Sequence, residues 1–368
     1  MIRVLHIVTY MGRGGLETML MNYYRHIDRE KIQFDFLVHR DFEADYDQEI
    51  LELGGKIYRI SRLVPWSRSY RAELKAFFRE HPEYRIVHVH QDCLSSVALQ
   101  CAKDCGIPVR IAHSHNSNQD RNLKYLVKRC YMKKIPDYAT DLFACSHLAG
   151  EWMFGGKPFE IVCNAIDAEK YLYNSEIAWK VRNELGINND YVIGHVGRFN
   201  PQKNHTFLID VFNECVKMNA HTKLILVGAG EGIKQIQDKV NSLGIQDKVI
   251  FTGVRTDVNE ILQAMDVFLF PSLYEGLGIS AIEAQASGLP CIISDVIPDD
   301  CIVTKGLVHK VSLNDSPVQW ANIIMKLKGI PRTERIGEIR NAGYDILRAT
   351  KKLEGFYLRK YVESRADE

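Results

Sequence analysis

Two carboxylates eight residues apart, Glu275 and Glu283, bracket the point where a Ser/Tyr/Gly loop gives way to an amphipathic helix. The apolar run VFLF at 267–270 reads as a strand stopped by Pro271. The loop SLYEGLG follows, and ISAIEAQAS keeps helical spacing until Gly288-Leu289-Pro290 ends it. One carboxylate therefore precedes the helix and the other rides its second turn. Between them, Gly276, Leu277, Gly278 and Ile279 supply amides at a positive helix end that an anion can approach closely.

Other loops carry matching chemistry. Gly197-Arg198-Phe199-Asn200-Pro201-Gln202-Lys203-Asn204 places two cations, Arg198 and Lys203, around a turn that ends at a helix start, which suits a diphosphate; a solvated turn is the plain alternative. Gly12-Arg13-Gly14-Gly15 follows the first strand and can present amides to a phosphate, although it is neither GxGxxG nor a P-loop. Gly228-Ala229-Gly230-Glu231-Gly232 lacks the third glycine of a dinucleotide loop and reads better as a glycine-rich turn. Histidines 88, 90, 113 and 115 alternate in pairs at two strand ends, so each pair shares a face. Without an acidic partner they fit zinc poorly, and a polar or catalytic task is expected, with His115 best placed to reach a ligand. Asp45-Tyr46-Asp47 matches the form of a metal-holding DxD but lies in the acidic run DFEADYDQE, away from any buried strand, and is set aside.

The elements that must position these groups alternate. β-rich runs (RVLHIVTY, FDFLVH, KIYRI, IVHVH, RIAHSH, LFACS, EIVC, then YVIGHVG, KLILVG, VIFTG, VFLFPS, PCIIS) are separated by amphipathic helical stretches. That is the pattern of α/β architecture with parallel sheets, here in two doubly wound, Rossmann-like domains with ligand at strand carboxyl ends facing a cleft. The expected divisions are 1–170, 171–345 and a last helical piece, 346–368, packing back on the first domain. The stretch from Trp320 to Tyr361 reads as helical throughout.

Composition narrows the class. At 46% hydrophobic and 25% charged, the 368 residues are ordinary for a globular protein. A formal net charge of +1 argues against a nucleic-acid binder. Residues 53–134, however, hold sixteen Lys/Arg against six Asp/Glu. Within them RNLKYLVKRCYMKK, 121–134, has six basic residues, no acid, and apolar residues at helical spacing; an anionic membrane surface and a solvated helix are the two readings. Nine cysteines without a CxxC pair fit a reduced, cytoplasmic chain. Met1 runs directly into a strand, so no signal peptide is expected, and no apolar run approaches a spanning helix.

Taken together, GRGGLETML, IVHVH, RIAHSHN, CNAID, GRFNPQKN, LVGAGEG and VFLFPSLYEGLGISAIEAQASGLPCIIS resemble the retaining, nucleotide-sugar-dependent transferases of glycosyltransferase family four, which have the GT-B fold. The resemblance spans nearly the whole chain, and the family's E-x7-E signature falls on Glu275 and Glu283. The chain is most similar to transferases of bacterial exopolysaccharide and capsule loci. The resemblance implies that Arg198 and Lys203 neutralise the donor diphosphate, with Gly14-Gly15 and the amides of residues 276–279 completing the cradle. It further implies that Glu283 holds the ribose, that Glu275 grips the sugar near its anomeric face, and that Gly253 and Val254 border the base. His115 matches the family's histidine beside the transferred sugar, with His113 close enough to compete for that alignment. No metal or other cofactor is implied. The usual P-N-G-I-D is C-N-A-I-D here, and the usual G-x-G-P is GAGEG, which leaves contacts at that loop open.

The expected activity is transfer of a hexose or N-acetylhexosamine from a UDP-sugar to a lipid-linked oligosaccharide, on the cytoplasmic side of the plasma membrane. A sugar-nucleotide epimerase sharing the fold, and a non-catalytic partner in a polysaccharide assembly complex, are the competing readings. Donor-only incubation separates the first from the epimerase.

Overall fold

The computed structural model describes residues 1–116, 123–187 and 189–366. The chain forms two compact units, Met1–Ile166 with Gly343–Glu368, and Asp167–Ala342.

The first unit is built on a parallel sheet of seven strands: β1 (Ile2–Ile7), β2 (Ile32–Val38), β3 (Ile57–Arg59), β4 (Ile86–Val89), β5 (Val109–Ser114), β6 (Asp141–Ala144) and β7 (Glu160–Ile161). Their order is β3-β2-β1-β4-β5-β6-β7. Strand β1 pairs with β2 from Ile2↔Ile32 to Ile7↔Leu37 and with β4 from Val4↔Ile86 to Ile7↔Val89. The apolar strand faces pack with the helix Gly15–His26 into a core that holds Phe34, Phe36, Tyr23 and Tyr24. The final helix, Ile346–Ala366, belongs to this unit, and contributes Ile346, Leu353, Phe356 and Tyr357 to the same core. Each buried aromatic removes roughly 150–250 Å² from water, so this helix is part of the core that stabilises the first sheet.

The second unit repeats the plan with six strands: β8 (Tyr191–Val196), β9 (Thr222–Val227), β10 (Val249–Gly253), β11 (Val267–Phe270), β12 (Cys291–Ser294) and β13 (Val308–Val311), in the order β10-β9-β8-β11-β12-β13. All of its pairings are parallel. Trp320 is wholly buried against the helix His205–Met218 side of the sheet, and its indole N–H donates to the Ser312 carbonyl at 2.9 Å.

Both sheets reverse their strand order once, between β1 and β4 and between β8 and β11. In open parallel sheets the crevice beyond strand carboxyl ends at such a reversal is where ligands bind.

Two expectations from the sequence need correction. Strand β13 was not anticipated, because LVHKV is short and sits on the sheet edge with a charged residue in its middle. The stretch after Trp320 is not one helix; it divides into Pro317–Lys326, Ile336–Asn341 and Ile346–Ala366. Gly329 and Gly343 take positive φ values of 84° and 86° at the breaks, and Pro331 lies in the first.

Candidate active site

In the second unit the E-x7-E segment unfolds as the sequence suggests. Strand β11 ends at Phe270, residues 271–278 form the loop, and the helix runs Ile279–Ala286. Gly278 is its N-cap, with φ 88° in the left-handed region and no side-chain cap for the first-turn amides. A Cβ on Gly278 would stand 3.1 Å from the Phe270 ring and 3.4 Å from Cys301 Sγ, so glycine is required by conformation as well as by space. The helix end therefore keeps its positive pole uncapped by side chains. Gly276, Leu277 and Gly278 are buried and Ile279 is half-buried.

The loop after β8 is tied to this one. Asn204, with φ 55°, donates from Nδ2 to the Pro271 carbonyl at 3.1 Å, and Gln202 donates from Nε2 to the Tyr274 carbonyl at 3.0 Å. The Leu273 amide returns a bond to the Gln202 carbonyl at 2.8 Å. These bonds set Lys203 Nζ 2.7 Å from Glu275 Oε1 and 4.5 Å from the centre of the Phe270 ring. Both side chains of the ion pair are largely buried. Sequence reasoning gave Lys203 and Glu275 separate tasks, and the fold makes them direct partners. Arg198, on the same loop, is exposed.

Glu283 occupies a different environment. It is 8% exposed and accepts a hydrogen bond from the Tyr171 hydroxyl at 2.7 Å. Burial pushes its carboxyl up to about 7, against the opposing pull of the Tyr171 bond. The two glutamates are thus held by separate partners, one by an ammonium and one by a phenol. Tyr171 escaped the sequence reading, because nothing in YLYN ties it to a helix more than a hundred residues away.

The glycine-rich loop after β9 proves to be a brace. A Cβ on Gly228 would lie 2.2 Å from the Gly197 carbonyl oxygen, and one on Gly230 would lie 2.5 Å from that of Phe199. The Phe199 amide donates to the Ala229 carbonyl at 3.0 Å, and the Gly232 amide donates back to the Phe199 carbonyl at 3.0 Å. Its glycines are thus needed to let the Arg198/Lys203 loop pass. Gly253, with φ 70°, accepts the Gly228 amide at 2.8 Å, and Val254 beyond it is 56% exposed.

The remaining predicted residues lie in the first unit. Gly14 caps the helix Gly15–His26 without a side-chain bond. The Arg13 amide donates to Asp45 Oδ2 at 3.2 Å, and the Arg13 guanidinium lies over the Tyr46 ring. Asp47 is buried and pairs with Arg59 at 2.5 Å. The DYD run therefore braces the glycine loop and a strand end.

His115 stands just past β5 and is half-buried, whereas His113 within β5 is fully buried. His115 Nε2 lies 2.9 Å from His90 Nδ1, and burial lowers its imidazole to about 3, so it is neutral near pH 7. The neighbouring Asp92 was not singled out in the sequence. It is a non-glycine residue with φ 46°, and its carboxylate accepts from Asn116 Nδ2 at 2.9 Å.

The chain also resembles known proteins. The profile of Glycosyltransferase Family 4 matches residues 13–170, and that of Glycosyl transferases group 1 matches residues 178–327. EpsF of Bacillus subtilis (strain 168), provisionally named a glycosyltransferase, is 37% identical over 363 residues, 93% of each chain. The UDP-Gal:alpha-D-GlcNAc-diphosphoundecaprenol alpha-1,3-galactosyltransferase of Escherichia coli is 26% identical over 75% of this chain and 76% of its own. Among solved structures, HepE of Anabaena, crystallised with UDP, superimposes with a TM-score of 0.74 at 17% identity over the full length of both chains, a likeness of fold. With two Rossmann-like parallel-sheet units, both profiles and a full-length relative, the chain belongs to the GT-B-fold glycosyltransferases of family four.

Proposed function

We propose that this glycosyltransferase moves a hexose or N-acetylhexosamine from a UDP-sugar, with retention, to a lipid-linked saccharide during exopolysaccharide or capsule biosynthesis. The observation that carries the reading is the Lys203–Glu275 pair set at a helix end without a side-chain cap. A departing nucleoside diphosphate gathers negative charge on its phosphates. Lys203, the exposed Arg198 and the positive helix end at residues 276–279 offer that charge a fixed counterpart. As phosphate draws on Lys203, Glu275 gains freedom to accept sugar hydroxyls. Glu283 accepts the ribose hydroxyls, and Gly253 and Val254 flank the base. In the first unit, taken by itself, the roles proposed for Gly14 and Gly15 are phosphate amides, and that proposed for His115 is a sugar contact.

Charge stabilisation from these groups makes a metal unnecessary for leaving-group departure. Retention by a pair of cooperating carboxylates would place them about 5–5.5 Å apart. Here the glutamates are engaged by different residues, which favours the donor phosphate as acceptor of the incoming hydroxyl's proton. A UDP donor and a lipid-diphosphate-linked acceptor are supported by the name of the Escherichia coli relative and by the UDP bound in HepE. The cytoplasmic leaflet is where the basic segment 121–134 would meet such an acceptor.

Transfer of radiolabelled sugar from UDP donors to an undecaprenyl-diphosphate-linked acceptor tests the proposal. Lys203→Ala and Glu275→Ala should each reduce kcat by about 10²–10³, the loss typical of removing one preorganised stabilising group. Full turnover in either folded variant, or conversion of the donor to another sugar nucleotide without acceptor, would sink it.

A further inference from the structure

The fold gathers more histidine than a sugar site requires. His6 on β1, His88 on β4, His90 just past it, His113 on β5 and His115 just past it meet beside one face of the first sheet, and the first four are at most 4% exposed. They form two hydrogen-bonded chains. His6 Nδ1 lies 3.1 Å from His90 Nε2, and His90 Nδ1 lies 2.9 Å from His115 Nε2. The Tyr357 hydroxyl lies 2.7 Å from His88 Nδ1, and His88 Nε2 lies 3.1 Å from His113 Nδ1. Three ring nitrogens, His6 Nε2, His113 Nε2 and His115 Nδ1, are buried with no hydrogen-bond partner among the described residues. A neutral imidazole has one donor and one acceptor nitrogen, so each of these unmet atoms leaves a donor or an acceptor unsatisfied. Leaving buried polar atoms unmet costs about 1–3 kcal/mol each.

We propose that His90, His113 and His115 form a binding site for a divalent transition-metal ion of the zinc class. Each residue offers a nitrogen within 4.8 Å of the other two. Their ring centres are 5.3, 5.2 and 4.1 Å apart. Three imidazoles bound tetrahedrally at about 2.0–2.1 Å have nitrogens about 3.4 Å apart, so small side-chain rotations close the set. Outer partners are already in place. With His90 binding through Nδ1, its Nε2–H faces His6; with His113 binding through its unmet Nε2, its Nδ1–H faces His88, which Tyr357 fixes in turn. The missing acidic partner that counted against zinc in the sequence does not exclude it, since three imidazoles and a water make a complete zinc set, and carboxylate-free ligation selects zinc, cobalt, nickel or copper over magnesium, calcium or manganese. Half-buried His115 gives the ion its way in and leaves the fourth position to water.

The consequence for catalysis rests on the role proposed for His115: a bound ion would hold that ring away from the sugar and inhibit transfer. Untagged full-length protein titrated with Co(II) at pH 7.5 should show visible tetrahedral d–d bands saturating at one equivalent and bleached by Zn(II). His90→Gln and the milder, half-exposed His115→Gln should each weaken cobalt binding at least tenfold, and His221→Gln, an exposed histidine of the second unit, should not change it. Absence of a one-equivalent signal, or cobalt affinity equal to the parent's in both folded site variants, overturns the site. At full occupancy zinc should lower turnover at least tenfold and a chelator should restore it. Unchanged turnover with a saturated cobalt signal overturns the inhibition and the sugar contact of His115 together, while the site itself stands.

Discussion

Glu283 is a carboxyl displaced from its ordinary state, because it is buried against a phenol. Its ordinary value is 4.5 and its folded value is about 7. Below about pH 4 both folded and unfolded chains hold the proton. As pH rises toward 7 the unfolded chain releases it first, so stability falls across that window by up to about 3 kcal/mol and stays lowered above it. Glu283→Gln should flatten this slope in the second unit, read by urea unfolding followed through β8–β13 amide exchange at pH 5 and pH 8. An unchanged slope would show that the carboxyl is not lifted. In the proposed role of Glu283, ribose hydroxyls donating to it would favour its ionised form, so donor binding should also strengthen from pH 6 to pH 8 in the parent protein and not in the variant. The place of this residue on the helix was legible from E-x7-E, but its partner was not. Spacing can report a helix face, whereas Tyr171 arrives there only through the tertiary fold.

Among the elements, loops carry the site and glycines decide whether the loops can meet. The sequence made GRFNPQKN a cation-bearing turn and GAGEG a glycine-rich one, and both descriptions hold. Their dependence on each other was hidden, since it lies in backbone atoms that approach within van der Waals distance. Gly230→Ala should therefore push the Phe199 carbonyl and displace Arg198 and Lys203 without disturbing either sheet. Nucleotide affinity by calorimetry is expected to drop at least tenfold, while Gly244→Ala, where φ is 70° but no atom lies within 4 Å of the new Cβ, should cost only local strain of about 1 kcal/mol. Equal affinity in the two variants would remove GAGEG from the site's support. Similar reasoning explains the missed edge strand and the broken terminal helices: short runs bordered by glycine and proline give periodicity too few residues to register. The long strands were legible for the opposite reason. Strands buried on both faces read as continuous apolar runs.

For the whole molecule, the net charge of +1 conceals an uneven distribution, and the most basic stretch has no acid within it. Positions 121 and 122 of that stretch lie outside the described residues. The helix Leu123–Met132 carries Leu126 at 71% and Val127 at 40% exposure, with Arg129 and Cys130 also exposed. Exposed aliphatic side chains beside cations suit the headgroup boundary of an anionic bilayer better than bulk water. No helix among the described residues is long and apolar enough to cross a membrane, so any attachment through this face is peripheral. Each Lys or Arg near an anionic surface contributes about 1 kcal/mol, which salt screens over roughly 8–10 Å at physiological strength. Co-sedimentation with phosphatidylglycerol vesicles should consequently be strong at low salt and weak at high salt. Replacing Lys128, Arg129, Lys133 and Lys134 by Gln should weaken binding by at least a hundredfold. Replacing Leu126 by Ser should weaken it about tenfold and leave the salt slope unchanged, because the apolar and ionic contributions are separate. If the quadruple variant sediments as well as the parent, this helix is a solvated face and the acceptor lipid is reached by another surface.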